Sequence, residues 1–179
     1  MKTIDIRRAC FFVAILAIMA NGCCVMQGNN NSNDKSKSIE LLRKGVNSGR
    51  LHEAPSATWI TTAADLSSVY ARLDNLQVEN LAIPDIDFEI YGLLLIEMGQ
   101  KPTGGHGIEF DPDLSRFIEN QAMVHLRWNT PKEGRVVPQV VTSPYILIKI
   151  EKTAIESIII FDQKQNLLFE ISIPDEKTK

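Results

Sequence analysis

"DFEIYGLLLIEM", Asp87 to Met98, decides the fold class. Its apolar residues Phe88, Ile90, Leu94, Ile96 and Met98 recur every second position. That is the repeat of a strand, whose side chains alternate between faces, and not the 3.6-residue repeat of a helix. The reading predicts one extended segment from Asp87 onward, with these five residues on one face.

The same period continues downstream. "AMVHLRW" puts Ala122, Val124, Leu126 and Trp128 on one face and Met123, His125 and Arg127 on the other, which reads as the polar side. "YILIKIE" and "AIESIIIF" are further apolar strands. "NLLFEISI" groups Leu167, Phe169, Ile171 and Ile173, and the polar "DQKQ" before it has the length of a hairpin turn. "GIEF", Gly107 to Phe110, is a short strand. Pro138 interrupts "RVVPQVV" and removes a ladder donor, so that segment is expected as an edge or bulged strand. Short links between successive strands imply mainly antiparallel pairing. No strand-helix-strand alternation occurs, which argues against a doubly wound parallel sheet.

Upstream the period changes. In "TTAADLSSVYARL" the residues Leu66, Val69, Tyr70 and Leu73 form one helical stripe, with Thr62 as N-cap and Asp65 near the positive helix end. "ATWIT" before it reads as a strand. In "SIELLRKGVNSGR" the spacing of Ile39, Leu42 and Val46 predicts a short helix ending near Asn47 to Gly49. The expected fold is therefore α+β: a mainly antiparallel β-sheet, as a sandwich or partly open barrel, with one or two short N-terminal helices.

The N-terminus carries a different signal. Lys2, Arg7 and Arg8 precede the apolar run "ACFFVAILAIMA", Ala9 to Ala20. The run is shorter than the roughly 20 residues needed to span a bilayer, but suits the core of a secretory signal. "ANGC", Ala20 to Cys23, resembles the lipobox of bacterial lipoproteins, with Ala20 where leucine is usual. The expectation is a signal peptide over 1–22, lipidation at Cys23, a tether over 23–38, a single domain over 39–174 and a charged tail over 175–179. "VMQGNNNSNDKSKS" within that tether has too little apolar content to offset the entropy of ordering. The chain would then be lipid-anchored in the bacterial cell envelope with its domain outside the cytoplasm.

The three cysteines are Cys10, Cys23 and Cys24, so residues 25–179 offer no disulfide and no thiol nucleophile. The net charge is −3, and residues 1–22 hold Lys2, Arg7 and Arg8 against Asp5, so the remainder is more acidic still. A mildly acidic chain without a basic stripe argues against nucleic-acid binding.

The glycine cluster "GQKPTGGHGIEF", Gly99 to Phe110, invites a phosphate-binding reading. Gly99 and Gly104 have the P-loop spacing, but Gly105 and His106 stand where lysine and a hydroxyl residue are required. The segment leads into a strand, not a helix, which also excludes a dinucleotide fingerprint. His106 lacks the motif context of a catalytic base. Asp111 and Asp113 flank Pro112 without calcium-loop spacing and read as a turn. Three scattered histidines give no zinc site. No catalytic residue, metal or cofactor is expected.

Two stretches carry a resemblance. "LLLIEMGQKPTGGHGIEF" and "PQVVTSPYILIKIEK" are similar, in order and separation, to the PrcB C-terminal domain family. The matching positions are Gly99, Lys101, Pro102, Thr103, Gly104 and Gly105, then Thr142, Ser143, Pro144 and Tyr145. His106 stands where the family places an aromatic residue, and "KEG" replaces a Pro-Gly loop. The resemblance implies a non-enzymatic lipoprotein that binds and stabilises an exported protein partner, such as a subtilisin-like protease complex. The partner surface it suggests is Lys101, Pro102, Thr103, Gly104, Gly105, His106, Ser143, Pro144 and Tyr145. An alternative is a protease inhibitor: "KPTGG" is similar to the Pro-Thr core of the loop in chagasin-type inhibitors, with Pro102 to His106 as the inserting segment.

Overall fold

A computed structural model describes residues 38–50, 52–74 and 82–174, all within one compact unit, Lys35–Lys179. The expected signal segment, Cys23 and the charged tail lie outside the described residues, as does the expected tether up to residue 37. Among the described residues nine strands and one helix follow in the order β1 (Ile39–Gly45), β2 (Ser56–Ile60), α1 (Ala63–Asp74), β3 (Tyr91–Glu97), β4 (Gly107–Phe110), β5 (Arg116–Ile118), β6 (Gln121–Asn129), β7 (Tyr145–Glu151), β8 (Ser157–Phe161) and β9 (Leu167–Ser172). Among the described residues no helix is long and apolar enough to cross a membrane.

The strands form two sheets. The first has the order β1-β7-β3-β2 and is antiparallel throughout. The second has the order β4-β6-β8-β9, with β5 also pairing β6. Its β6/β8 pair is parallel, and its other pairs are antiparallel. The fold is α+β as the periodicity predicts, with two sheets face to face and no closed barrel.

Why β3 and β7 read as nearly unbroken apolar runs is now clear. Both faces of the first sheet are covered, so neither parity can be polar. Leu94, Ile96, Ile146, Ile148 and Ile150 point at the second sheet and meet Ala122, Val124, Leu126, Ile158 and Ile160. Leu93, Leu95, Tyr145 and Leu147 point the other way, onto Ile60 and the stripe Leu66, Tyr70 and Leu73 of α1. Each such aliphatic side chain contributes about 1.5–3 kcal/mol by leaving water. The helix starts as its sequence dictates. Thr62 Oγ1 accepts from the Asp65 amide at 3.1 Å and donates to the Asp65 carboxylate at 2.7 Å.

Four expectations need correction. Residues 39–45 are a strand, not a helix: Ile39 pairs with Ile150 and Gly45 with Tyr145. Ile39 and Leu42 are three positions apart, so they lie on opposite faces of the strand and pack on different cores, and a bulge follows between Leu41 and Arg43. A strand with apolar contacts on both faces thus imitates helical spacing. The strand after Asp87 begins later than its pattern suggests. Phe88 lies in a turn closed by the Tyr91 amide on the Asp87 carbonyl at 2.8 Å, and it packs toward α1, away from Leu94 and Ile96. "RVVPQVV" lies in no strand. Finally, the second face of β6 is open to water at Arg127 but not at His125. His125 is 7% exposed and stacks on Phe161 at 5.2 Å.

Two turns do what their residues specify. Asp162 caps the β8/β9 hairpin by accepting from the Lys164 and Asn166 amides, each at 2.8 Å. Asp111 to Ser115 form the turn that breaks one edge of β6 into separate partners, β4 and β5. β5 itself has too few residues to show a period.

Candidate functional site

The two motif stretches are the places where the chain changes sheets. Residues 98–106 carry it from β3 in the first sheet to β4 in the second. Residues 130–144 bring it back from β6 to β7. Both crossings meet at one end of the sandwich and are bonded to each other.

Glycine makes the outgoing crossing possible. Gly99 has φ +76°, and a Cβ there would run into the Glu53 carbonyl. The Gln100 amide then donates to the His52 carbonyl at 2.6 Å. Lys101 and Thr142 exchange backbone bonds of 2.8 and 3.0 Å, and Thr142 Oγ1 donates to the Thr103 carbonyl at 3.0 Å. The Gly104 amide donates to the Pro138 carbonyl at 2.9 Å, with Pro138's ring against Gly104. Gly105, at φ +83°, lies under Pro131 and Val137.

The returning crossing starts with a tight turn. The Arg135 amide bonds the Lys132 carbonyl at 3.1 Å, and Gly134 takes φ +77° in its third position. "KEG" therefore supplies the glycine that such a turn needs. From Arg135 to Val141 the chain runs exposed outside every ladder, with only Val137 half-buried. Val136 is fully exposed, and Val140 and Val141 are more than half exposed.

Ser143 fastens the end of this crossing. It is buried, its amide donates to the Val46 carbonyl at 2.9 Å, and its carbonyl accepts from the Ser48 amide at 2.8 Å. Its hydroxyl lies 2.8 Å from that of Ser48. The Pro144 carbonyl accepts from the Met98 amide at 2.8 Å, and buried Tyr145 takes a bond from Arg43 Nε at 3.0 Å. Of the residues singled out in the sequence, Pro102 and Gly105 are exposed, while Lys101, Thr103 and His106 are half-buried. Gly104, Ser143, Pro144 and Tyr145 face inward, where they hold the crossings in place.

Beneath the crossings sits a buried carboxylate. Glu97 is 1% exposed and accepts from Arg50 at 2.7 Å and Arg72 at 2.6 Å. Burial alone would raise its pKa. The bonds from Arg50, Arg72 and Ser48 outweigh that and hold it below the usual carboxylate value. This ties the end of β3 to α1 and to the connector after β1.

His106 Nε2 is 3.4 Å from Thr103 Oγ1, and its buried Nδ1 has no partner among the described residues. Burial, and secondly the charge of Lys101, lowers its pKa, which favours the neutral ring. No group of three or more His, Cys, Asp or Glu among the described residues could hold a metal ion.

Residues 93–151 match the family model described as PrcB C-terminal. The match begins in β3, ends with β7 and so contains both crossings. This agrees with the resemblance carried by the two motifs. No curated protein and no solved structure matches the chain. The PrcB-like segment spans about a third of the sequence. It supplies the two central strands of the first sheet and β4, β5 and β6 of the second, while β1, β2, α1, β8 and β9 complete the layers around it.

Sequence reasoning missed the exposed valines and the Glu97 ion pairs. The first had a signal: four valines around a proline cannot form an ordinary central strand. The second had none, because Arg50, Arg72 and Glu97 belong to three separate elements and share no spacing.

Proposed function

We propose that the chain is a non-enzymatic, lipid-anchored PrcB-like protein that binds and stabilises an exported protein partner, with a subtilisin-like protease as that partner. The observation that supports it most is the family match across both sheet crossings, whose outer side presents Val136, Val140 and Val141. Exposed apolar side chains grouped on one segment mark interaction surfaces. The "ANGC" sequence supports anchoring through Cys23 in the cell envelope, with the folded unit outside the cytoplasm.

Two measurements test this. An exported subtilisin-like protease expressed with the chain should co-purify with it and survive longer than without it. A protease of equal half-life in both conditions, with no co-purification, overturns the reading. Cys23→Ser should lose acyl labelling and leave the membrane fraction, and unchanged labelling would place the anchor elsewhere.

A further inference from the structure

We propose that residues 135–141 are a preformed strand to which an extended segment of the protein partner pairs, backbone to backbone. The partner segment is rich in small apolar residues and flanked by carboxylates. This rests on the reading that the chain binds a protein, and adds how it does so.

Four observations carry it. First, the amides here are unspent, while the Val137 carbonyl accepts from Gln139 Nε2 at 3.2 Å and the Pro138 carbonyl from the Gly104 amide at 2.9 Å. Among the described residues, the amides of Val136, Val137, Gln139, Val140 and Val141 donate to no other backbone group. At the two ends of the segment the Arg135, Thr142 and Ser143 amides are bonded. A row of unpaired N–H and C=O groups is the template on which another strand adds.

Second, the segment is held in shape. Its ends are fixed by the Lys132–Arg135 turn and the Lys101–Thr142 bridge, and its middle by the Gly104 bond to Pro138. No residue from 135 to 141 has positive φ, and Val137 is biased to extended conformations by the proline after it. Little ordering entropy remains to be lost on binding.

Third, the side chains divide. Val137 packs inward on Gly105, while Val136, Val140 and Val141 face solvent. Fourth, the surround is basic. Lys101, Lys132 and Arg135 flank the segment against one acid, the exposed Glu133, and none of the three cations takes part in an ion pair among the described residues. Complementary charge across an interface steers encounter and fixes register. Pro138 offers no donor, so pairing runs to one side of it or the other.

The test uses the full chain and a fluorescent peptide of alternating valine and threonine with a glutamate at each end. Saturable binding is expected. It should weaken about tenfold when alternate peptide nitrogens are methylated, because several hydrogen bonds are lost. Lysine ends should weaken it comparably, and so should Val136→Asp combined with Val140→Asp in a protein whose melting temperature is unchanged. No binding, equal binding of the methylated peptide, or binding that survives the double variant overturns the proposal. So does concentration-dependent self-association that needs the same valines, which would make a second copy the occupant. If the co-expressed protease still co-purifies with the double variant, strand pairing fails while the reading as a protein-binding module stands.

Discussion

Residues 135–141 and 145–151 are neighbours of similar apolar character with opposite fates. "YILIKIE" is β7, hydrogen-bonded to β1 and β3 and buried on both faces. "RVVPQVV" has no ladder on either side, and three of its valines are exposed. Apolar content does not separate them. Partners for the backbone do. β7 arrives between two strands that satisfy its donors and acceptors, whereas Pro138 breaks the donor row of the earlier segment and its carbonyl is taken by Gly104.

The contrast can be attacked most strongly inside β7. Ile148→Ala removes a side chain packed between the sheets and should cost about 2–5 kcal/mol in urea unfolding. A loss below 1 kcal/mol would mean that the two sheets do not close on one core.

Next comes the carboxylate that braces β3 beside it. Glu97→Gln should cost about 1.5–3 kcal/mol near neutral pH, the range for hydrogen bonds to charged groups. Because the folded carboxyl sits below its unfolded value, its stabilisation is fully present above the unfolded pKa. It is lost as pH falls through the folded one. The stabilities of the two proteins should therefore draw together as pH falls below the ordinary glutamate value of about 4.3. Curves that stay parallel would show that Glu97 is not the titrating group.

Pro138→Ala asks what keeps the exposed segment out of a ladder. It should cost no more than about 1 kcal/mol, chiefly through added freedom in the unfolded chain. New protection of the residue 138 amide from hydrogen exchange would show that proline alone kept it out of a ladder. The smallest effect belongs to Val136→Asp, which should leave unfolding within about 0.5 kcal/mol of the parent. A larger loss would place Val136 in a core that the structure does not give it.

Much of this was legible in the sequence where one element decides its own environment. The α1 stripe, its Thr62 cap and the Asp162 turn each act within a few residues, and all three hold. β6 shows its core face for the same reason. Legibility failed where the outcome depends on distant chain. β1 packs on a different core with each face, which hides a strand behind helix-like spacing. His125 looked solvent-facing because nothing nearby in sequence announces Phe161, which stacks on it from β8. At the candidate site the glycines declared a sharp crossing, and Gly99 and Gly105 do take positive φ. That Ser143 and Tyr145 would point inward depended on Ser48 and Arg43, about a hundred positions earlier in the chain.

The pairing of β1 with β7 has a mechanical side. Ile39 lies opposite Ile150 and Gly45 opposite Tyr145, so the two strands begin at opposite ends of their shared ladder. A pull on the chain before Ile39, resisted at Val141 just ahead of β7, drags the strands past each other lengthwise. All the cross-strand bonds then bear the load together, as a lap joint does, instead of opening one after another like a zip. A load resisted at Lys152 would peel the same bonds from one end.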